Sequence, residues 1–139
     1  MNFLARREYA RAELEHRLAR KGVESGVIAD CLDTLAEQGL QSDARFAESF
    51  VRARVLRGQG VRRIKSELSQ RGVASEVQRR AIAEVEAQEN VDWFALAADT
   101  LARRFSTPGD SPKERARRER FLASRGFEFD QIRHALACL

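Results

Sequence analysis

Cysteine, histidine, proline and tryptophan are scarce in this chain of 139 residues, at two, two, two and one respectively. Cys31 and Cys138 stand far apart and form no CxxC pair, which argues against a disulfide framework and a cysteine metal site and fits a reduced, cytoplasmic setting. His16 and His134 fall in separate segments, with no nucleophile elbow, Walker loop or HExxH pattern near them. The sequence therefore offers no catalytic centre, no metal site and no cofactor site. No apolar run approaches the roughly 20 residues that cross a bilayer. The start, Met1-Asn2-Phe3-Leu4-Ala5-Arg6-Arg7, lacks the apolar core of an export signal. No stretch alternates polar and apolar residues as a strand does.

What is abundant is charge. Charged residues make up 33% of the chain and apolar residues 43%, with a net charge of +4. Such a chain can bury a modest core under a surface dense in both signs. Only Lys21, Lys65 and Lys113 of the 25 basic residues are lysines. Arginine forks onto phosphate and carboxylate, but a GC-rich genome gives the same bias, so position rather than number must identify a binding face.

Position is informative because the chain repeats. Leu14-x3-Leu18-x3-Gly22-Val23 recurs as Ile64-x3-Leu68-x3-Gly72-Val73 and again as Arg118-x3-Leu122-x3-Gly126-Phe127. A basic residue precedes each glycine (Lys21, Arg71, Arg125), and Leu32, Ile82 and Leu136 follow at a common distance. The extra residues before the third copy fit the Thr107-Pro108-Gly109-Asp110-Ser111-Pro112 loop.

Each glycine suits the left-handed position that closes a helix, and apolar residues between glycines fall at helical spacing, as in Val27, Ile28, Cys31, Leu32 and Leu35. Helix breaks are expected at Gly22, Gly39, Gly72 and Gly126. Ser75-x-x-Gln78 and Ser111-Pro112-x-Glu114 read as capping boxes, with Ser25, Ser42 and Asn90 as further caps. The expectation is an all-α chain of eight or nine helices: three tandem three-helix repeats, 1–41, 42–90 and 91–139, packed into an elongated, curved, solenoid-like body. The first unit reads as clipped at its amino end, since its opening helix has only Met1 to about Tyr9.

The charge is uneven along the units. Segment 51–80 carries a net +7 and segment 103–125 a net +5, whereas the first unit carries −1. Arg57, Arg62, Arg63, Lys65 and Arg71, with Arg104, Arg115, Arg118 and Arg125 at related repeat positions, are the expected binding face for a polyanionic partner. Arg115 and Arg118 occupy the columns of Val61 and Ile64, so the third unit has exchanged apolar positions for charge or turned that helix. Phe46, Phe50, Trp93, Phe94, Phe105, Phe121, Phe127 and Phe129 read as packing.

Gly39-Leu40-x-x-Asp43-x-Arg45-Phe46-Ala47, followed by Gly58-x-Gly60-x-x-Arg63-Ile64-x-x-Glu67-Leu68-x-x-Arg71-Gly72-Val73, resembles the central signature of the RecX family. Glu13-Leu14-x3-Leu18, Asp92-Trp93-x-x-Leu96-Ala97 and Arg120-Phe121-Leu122-x-x-Arg125-Gly126 extend the resemblance over essentially the whole chain. It implies a non-enzymatic, monomeric regulator of the RecA recombinase in DNA repair and the SOS response. Such proteins lie in the groove of the RecA filament on single-stranded DNA, with a weak direct contact to DNA, and oppose its growth, strand exchange, ATP hydrolysis and LexA cleavage. Two departures concern the first unit: Ala10 stands where the family offers a capping hydroxyl, and the amino-terminal extension is short. Two other readings stay open: a helix-turn-helix transcriptional regulator turning at Arg71-Gly72-Val73, and a purely structural helical adaptor.

Overall fold

A computed structural model describes residues 7–107 and 109–139. They form eight α-helices and no strand: α1 (Arg11–Arg20), α2 (Ser25–Glu37), α3 (Asp43–Leu56), α4 (Val61–Gln70), α5 (Ser75–Glu89), α6 (Trp93–Arg104), α7 (Pro112–Ser124) and α8 (Phe129–Ala137). In the second and third groups the outer pairs, α3 with α5 and α6 with α8, pack most closely, while α1 rests on α2.

The glycine columns show why the chain breaks where it does. Gly22, Gly72 and Gly126 have φ of 85°, 77° and 95°. In each, the glycine N–H and that of the next residue return to carbonyls of the last turn: Val23 to Leu18, Val73 to Leu68 and Phe127 to Leu122, at 3.1–3.2 Å. That is one closing motif used three times. Gly39 at φ 73° ends α2 in the same way, as expected, and Gly58 at φ 76° ends α3.

The helix starts correct several expectations. Ser42 and Ser111 do cap, accepting from the N–H groups of Arg45 and Glu114, each at 3.2 Å. Ser75 and Ser25 lie inside their helices; the preceding Ala74 and Glu24 are the caps, and Glu24 accepts from Gly26 N at 2.6 Å. Gln78, freed from a capping box, is buried and donates to Val73 O at 2.8 Å and Ser69 Oγ at 2.9 Å, tying α5 to the end of α4. Asn90 closes α5 at φ 52°, and Asp92 caps α6 through Phe94 N and Ala95 N.

The buried apolar residues divide into three clusters rather than one continuous core. Tyr9, Leu14, Ile28 and Leu32 form the first. The second is built on Phe46, Phe50, Ile64, Leu68, Ile82 and Val85, and the third on Ala97, Leu101, Leu122, Phe127 and Ile132. Cys31, expected on the apolar face of its helix, is exposed, as is Cys138. Ala81 and Ala135, in the same repeat column as Cys31, are buried in the other two groups, where α3 and α6 cover them.

Candidate interaction surface at the second joint

Three small cores need joints between them, the first made by side chains on backbone groups and the second by backbone alone. At the first, Arg11 N donates to Asp43 Oδ1 at 2.8 Å, and buried Gln41 bridges Asp43 and Tyr9 O. Ala10 is fully buried within the second core. A hydroxyl is not needed there, because Glu13 accepts from Ala10 N at 2.9 Å and Asp43 takes the next donor. Gly72 abuts this start: a Cβ on it would stand 2.5 Å from Ala12 Cβ.

The second joint repeats the first, fifty residues on. Gly60, in the column of Ala10, opens α4, and its N–H donates to Arg125 O at 2.8 Å while Arg62 N donates to Gly126 O at 3.0 Å. The orphan donors of one helix start thus meet the orphan acceptors of another helix end, with the dipoles aligned head to tail. A Cβ on Gly60 would lie 2.5 Å from Gly126 O, and one on Gly126 would run into the Arg63 backbone. Gly58 is similarly pressed on Thr100 of α6, with 2.7 Å from a Cβ to Oγ1. The Gly58-x-Gly60 pair is therefore the hinge-plate of the joint between the second and third groups.

Two clefts border this joint. One, of about 210 Å³, is lined by Arg57, Gly58, Thr100, Arg103, Arg104, Phe121 and Arg125. The other, about 590 Å³, holds Arg62, Arg63, Ser66, Glu67, Gln70, Ala123, Ser124 and Gly126. The nine basic residues singled out in the sequence separate accordingly. Arg57, Arg104 and Arg125 converge on the smaller cleft, and Arg62 and Arg63 on the larger. Arg57, Arg62, Lys65 and Arg115 are exposed and have no acidic partner among the described residues. Arg63 sits 3.8 Å from Glu67. Arg115 lies apart, in a groove with Glu119, Phe129, Arg133, Leu136 and Ala137. Arg71 belongs to the first joint, where Nη1 meets Glu13 Oε2 at 2.9 Å and the guanidinium stands over Phe50.

Arg118 does not reach the surface. It keeps the buried column of Ile64, 8% exposed, with its guanidinium 4.4 Å from the Phe105 ring centroid. Nε donates to Thr107 O at 2.7 Å and Nη1 to Glu114 O at 3.0 Å. It is a clamp on the loop between α6 and α7, because a buried guanidinium must find acceptors for its donors. The sequence signal for this was the repeat column itself. Arg103 is the converse case: it was counted in the basic segment but not singled out, and its place in the last turn of α6 puts it in the cleft.

The fold and the joint define an all-helical repeat protein with a basic seam and, among the described residues, no cluster of three or more side chains that could hold a metal ion. No helix among them is long and apolar enough to cross a membrane. Family profiles for the first, second and third three-helix domains of RecX match residues 1–35, 42–82 and 90–136. The chain is 58% identical to the regulatory protein RecX of Chromohalobacter salexigens, over 99% of this chain and 88% of that one. It is 48% identical to the regulatory protein RecX of Halorhodospira halophila, over 99% and 83% respectively. Its fold is similar to the crystal structure of RecX from Lactobacillus salivarius, with a TM-score of 0.79 at 23% identity, covering 99% of this chain and 90% of that one. The chain belongs to the RecX family of regulatory proteins.

Proposed function

We propose that the chain is a non-enzymatic negative regulator of RecA that binds in the groove of the RecA filament on single-stranded DNA. There it opposes filament growth and so damps strand exchange, ATP hydrolysis and LexA cleavage. It acts as a cytoplasmic monomer, with its three units dividing at 41/42 and 90/91. The observation that carries this reading, beyond family membership, is the set of exposed cations without acidic partners along the second and third groups. A filament groove offers phosphates and protein carboxylates together, and such a surface suits both.

The helix-turn-helix alternative is not favoured. Arg79 and Arg80, which a reading helix α5 would present, are both bound to Glu76, and the turn at Gly72 abuts Ala12 of α1.

The test is titration into RecA ATPase on single-stranded DNA at substoichiometric ratio. The parent chain is expected to inhibit. R62E/K65E is expected to abolish inhibition while melting like the parent. R20E/K21E, two exposed positions in the first group, is expected to do much less. A parent without effect on RecA overturns the regulator reading. Two double variants that both inhibit like the parent move the contact away from the basic surface.

A further inference from the structure

The joints inside the chain follow one plan, and the plan leaves two ends over. At each joint one of the repeat-equivalent helices α1, α4 and α7 offers its start to the glycine that closes the next: α1 meets Gly72 after α4, and α4 meets Gly126 after α7. The closing glycine of α1 and the start of α7 are what remains. Among the described residues nothing stands within 4 Å of a Cβ placed on Gly22, against 2.5 Å for Gly72 and 2.4 Å for Gly126. Lys21 and Gly22 are exposed at one end of the molecule, and Pro112, Lys113 and Glu114 at the other.

The two ends match. In the first joint Glu13, at the third position of α1, accepts from its own N-cap on Oε1 and from Arg71, the C-cap of α4, on Oε2, both at 2.9 Å. Glu114 holds the third position of α7 and takes the N–H of Asp110 on Oε1 at 3.1 Å, while its Oε2 has no partner among the described residues. Lys21 is the C-cap of α1, in the column of Arg71, and has no acidic partner among those residues. The cap residues are small in all three helices, Ala10, Gly60 and Ser111. The second joint draws its donors from Gly60 and Arg62, the cap and the second position of α4, and takes none from Val61 between them. Pro112, which has no N–H to give, stands at that unused position of α7.

We infer that the start of α7 in one molecule docks on the Gly22 end of α1 in a second copy of the chain, with Glu114 meeting Lys21, and so carries the repeat from one molecule into the next. Such a contact is heterologous. Each molecule uses one end for the neighbour before it and the other for the neighbour after it, which gives an open row rather than a closed dimer. One helix start on one helix end is far smaller than the roughly 1,000 Å² that a stable interface buries, so free molecules remain monomers at ordinary concentration. Rows form where molecules are held side by side, because a shared scaffold raises their local concentration. The RecA filament of the proposed function is such a scaffold, and the inference rests on that reading for its setting alone.

The test uses the full chain and needs neither RecA nor DNA. A millimolar, equal mixture of ordinary and isotope-labelled chain is treated with a carbodiimide, which couples a carboxyl to an ammonium in contact with it. Lys65, exposed and far from both ends in sequence, sets the level of random encounter. Cross-links between labelled and unlabelled molecules are expected to join Lys21 to Glu114 well above that level, and to fade as salt screens the pair. Sedimentation at the same concentration gives an independent reading. The parent is expected to associate, K21E and E114K each to stay monomeric, and their mixture to regain association because the reversed charges then face each other. If E114K frays the start of α7, K21E decides alone. The inference is overturned if Lys21 couples across molecules no more than Lys65 does, if the parent stays monomeric, if folded K21E associates like the parent, or if folded K21E and E114K fail to complement. In the first two cases the Gly22 end belongs to another segment of the chain or to a different partner. A parent that failed to inhibit RecA would remove the filament setting and leave the contact to be judged by these two measurements.

Discussion

The first and third helical groups handle arginine in opposite ways. In the first, cations meet acids: Arg11 reaches Asp33 at 2.9 Å, Arg7 reaches Glu13 at 3.4 Å, and Glu8 takes Arg45 at 3.1 Å from the second group. Among the described residues, 91–139 contain no ion pair at all. Their arginines lie on rings and carbonyls instead, Arg104, Arg117 and Arg118 around Phe105, and Arg125 over Phe121. A ring or carbonyl orders a guanidinium without neutralising it. The third group thus presents arginines ordered without an ion pair, whereas in the first Arg7 and Arg11 meet that group's own acids, and Glu8 and Glu13 also take Arg45 and Arg71 from the second. Two copies of one helical plan have diverged, one tied to its neighbour by ion pairs and the other ordering its arginines on rings and carbonyls.

The comparison can be broken most forcefully at the glycines, which share a column and a conformation but differ in surroundings. Gly22→Ala meets nothing within 4 Å and bears only the left-handed φ of +85°, a cost of about 1–2 kcal/mol. Gly126→Ala has φ +95° and also drives a methyl into the Arg63 backbone, adding about 1–3 kcal/mol of overpacking. Denaturant unfolding is expected to show the second variant clearly less stable than the first. Equal losses would mean that α4 and α7 do not meet as described.

A smaller difference is expected between two arginines. Arg118→Met empties a buried set of charge-assisted hydrogen bonds on Thr107 and Glu114 and is expected to cost about 2–3 kcal/mol. Arg11→Met breaks a surface pair whose Asp33 is 61% exposed, for less than about 1 kcal/mol. If Arg11 proved the costlier, Arg118 would not be the structural clamp that its burial and hydrogen bonds make it.

Much of this was legible in the sequence, and the reason is range. A helix that closes on glycine needs only its own last turn, so Gly22, Gly39, Gly72 and Gly126 could be read from spacing, and the family signature followed from the same columns. Caps are more ambiguous, because Ser75 and Ala74 differ by one position and tertiary partners decide between them; Gln78 had a better use across the turn. Burial of a charged residue lies further out of reach. Arg115 and Arg118 look alike in the chain, yet only Arg118 faces Phe105 and the Thr107 carbonyl, residues brought near by the loop between α6 and α7. The convergence of Arg57, Arg103, Arg104 and Arg125 depends on three helix ends meeting around Gly58 and Gly60. No local pattern announces that.

The smallest expected effect tests whether paired arginines on an open surface matter at all. Glu76, at the start of α5, accepts from both Arg79 and Arg80. The hydrogen bond from Arg79 first, then that from Arg80, holds its carboxyl below the ordinary glutamate value. A carboxyl lowered in the folded state binds its proton later than in the unfolded chain. Its contribution is therefore complete above the ordinary value and is lost as the pH falls through the lowered one. Glu76→Gln removes that dependence, so the melting temperatures of parent and variant are expected to differ slightly at neutral pH and to converge on acidification. Glu76 is exposed, so solvent screening keeps the difference small. A gap that widened toward acid would reverse the sign and show that the carboxyl is not held by these arginines. A gap that stayed constant would assign it to the helix start rather than to the ion pair, and would leave the joints, not surface pairing, as the source of the second group's stability.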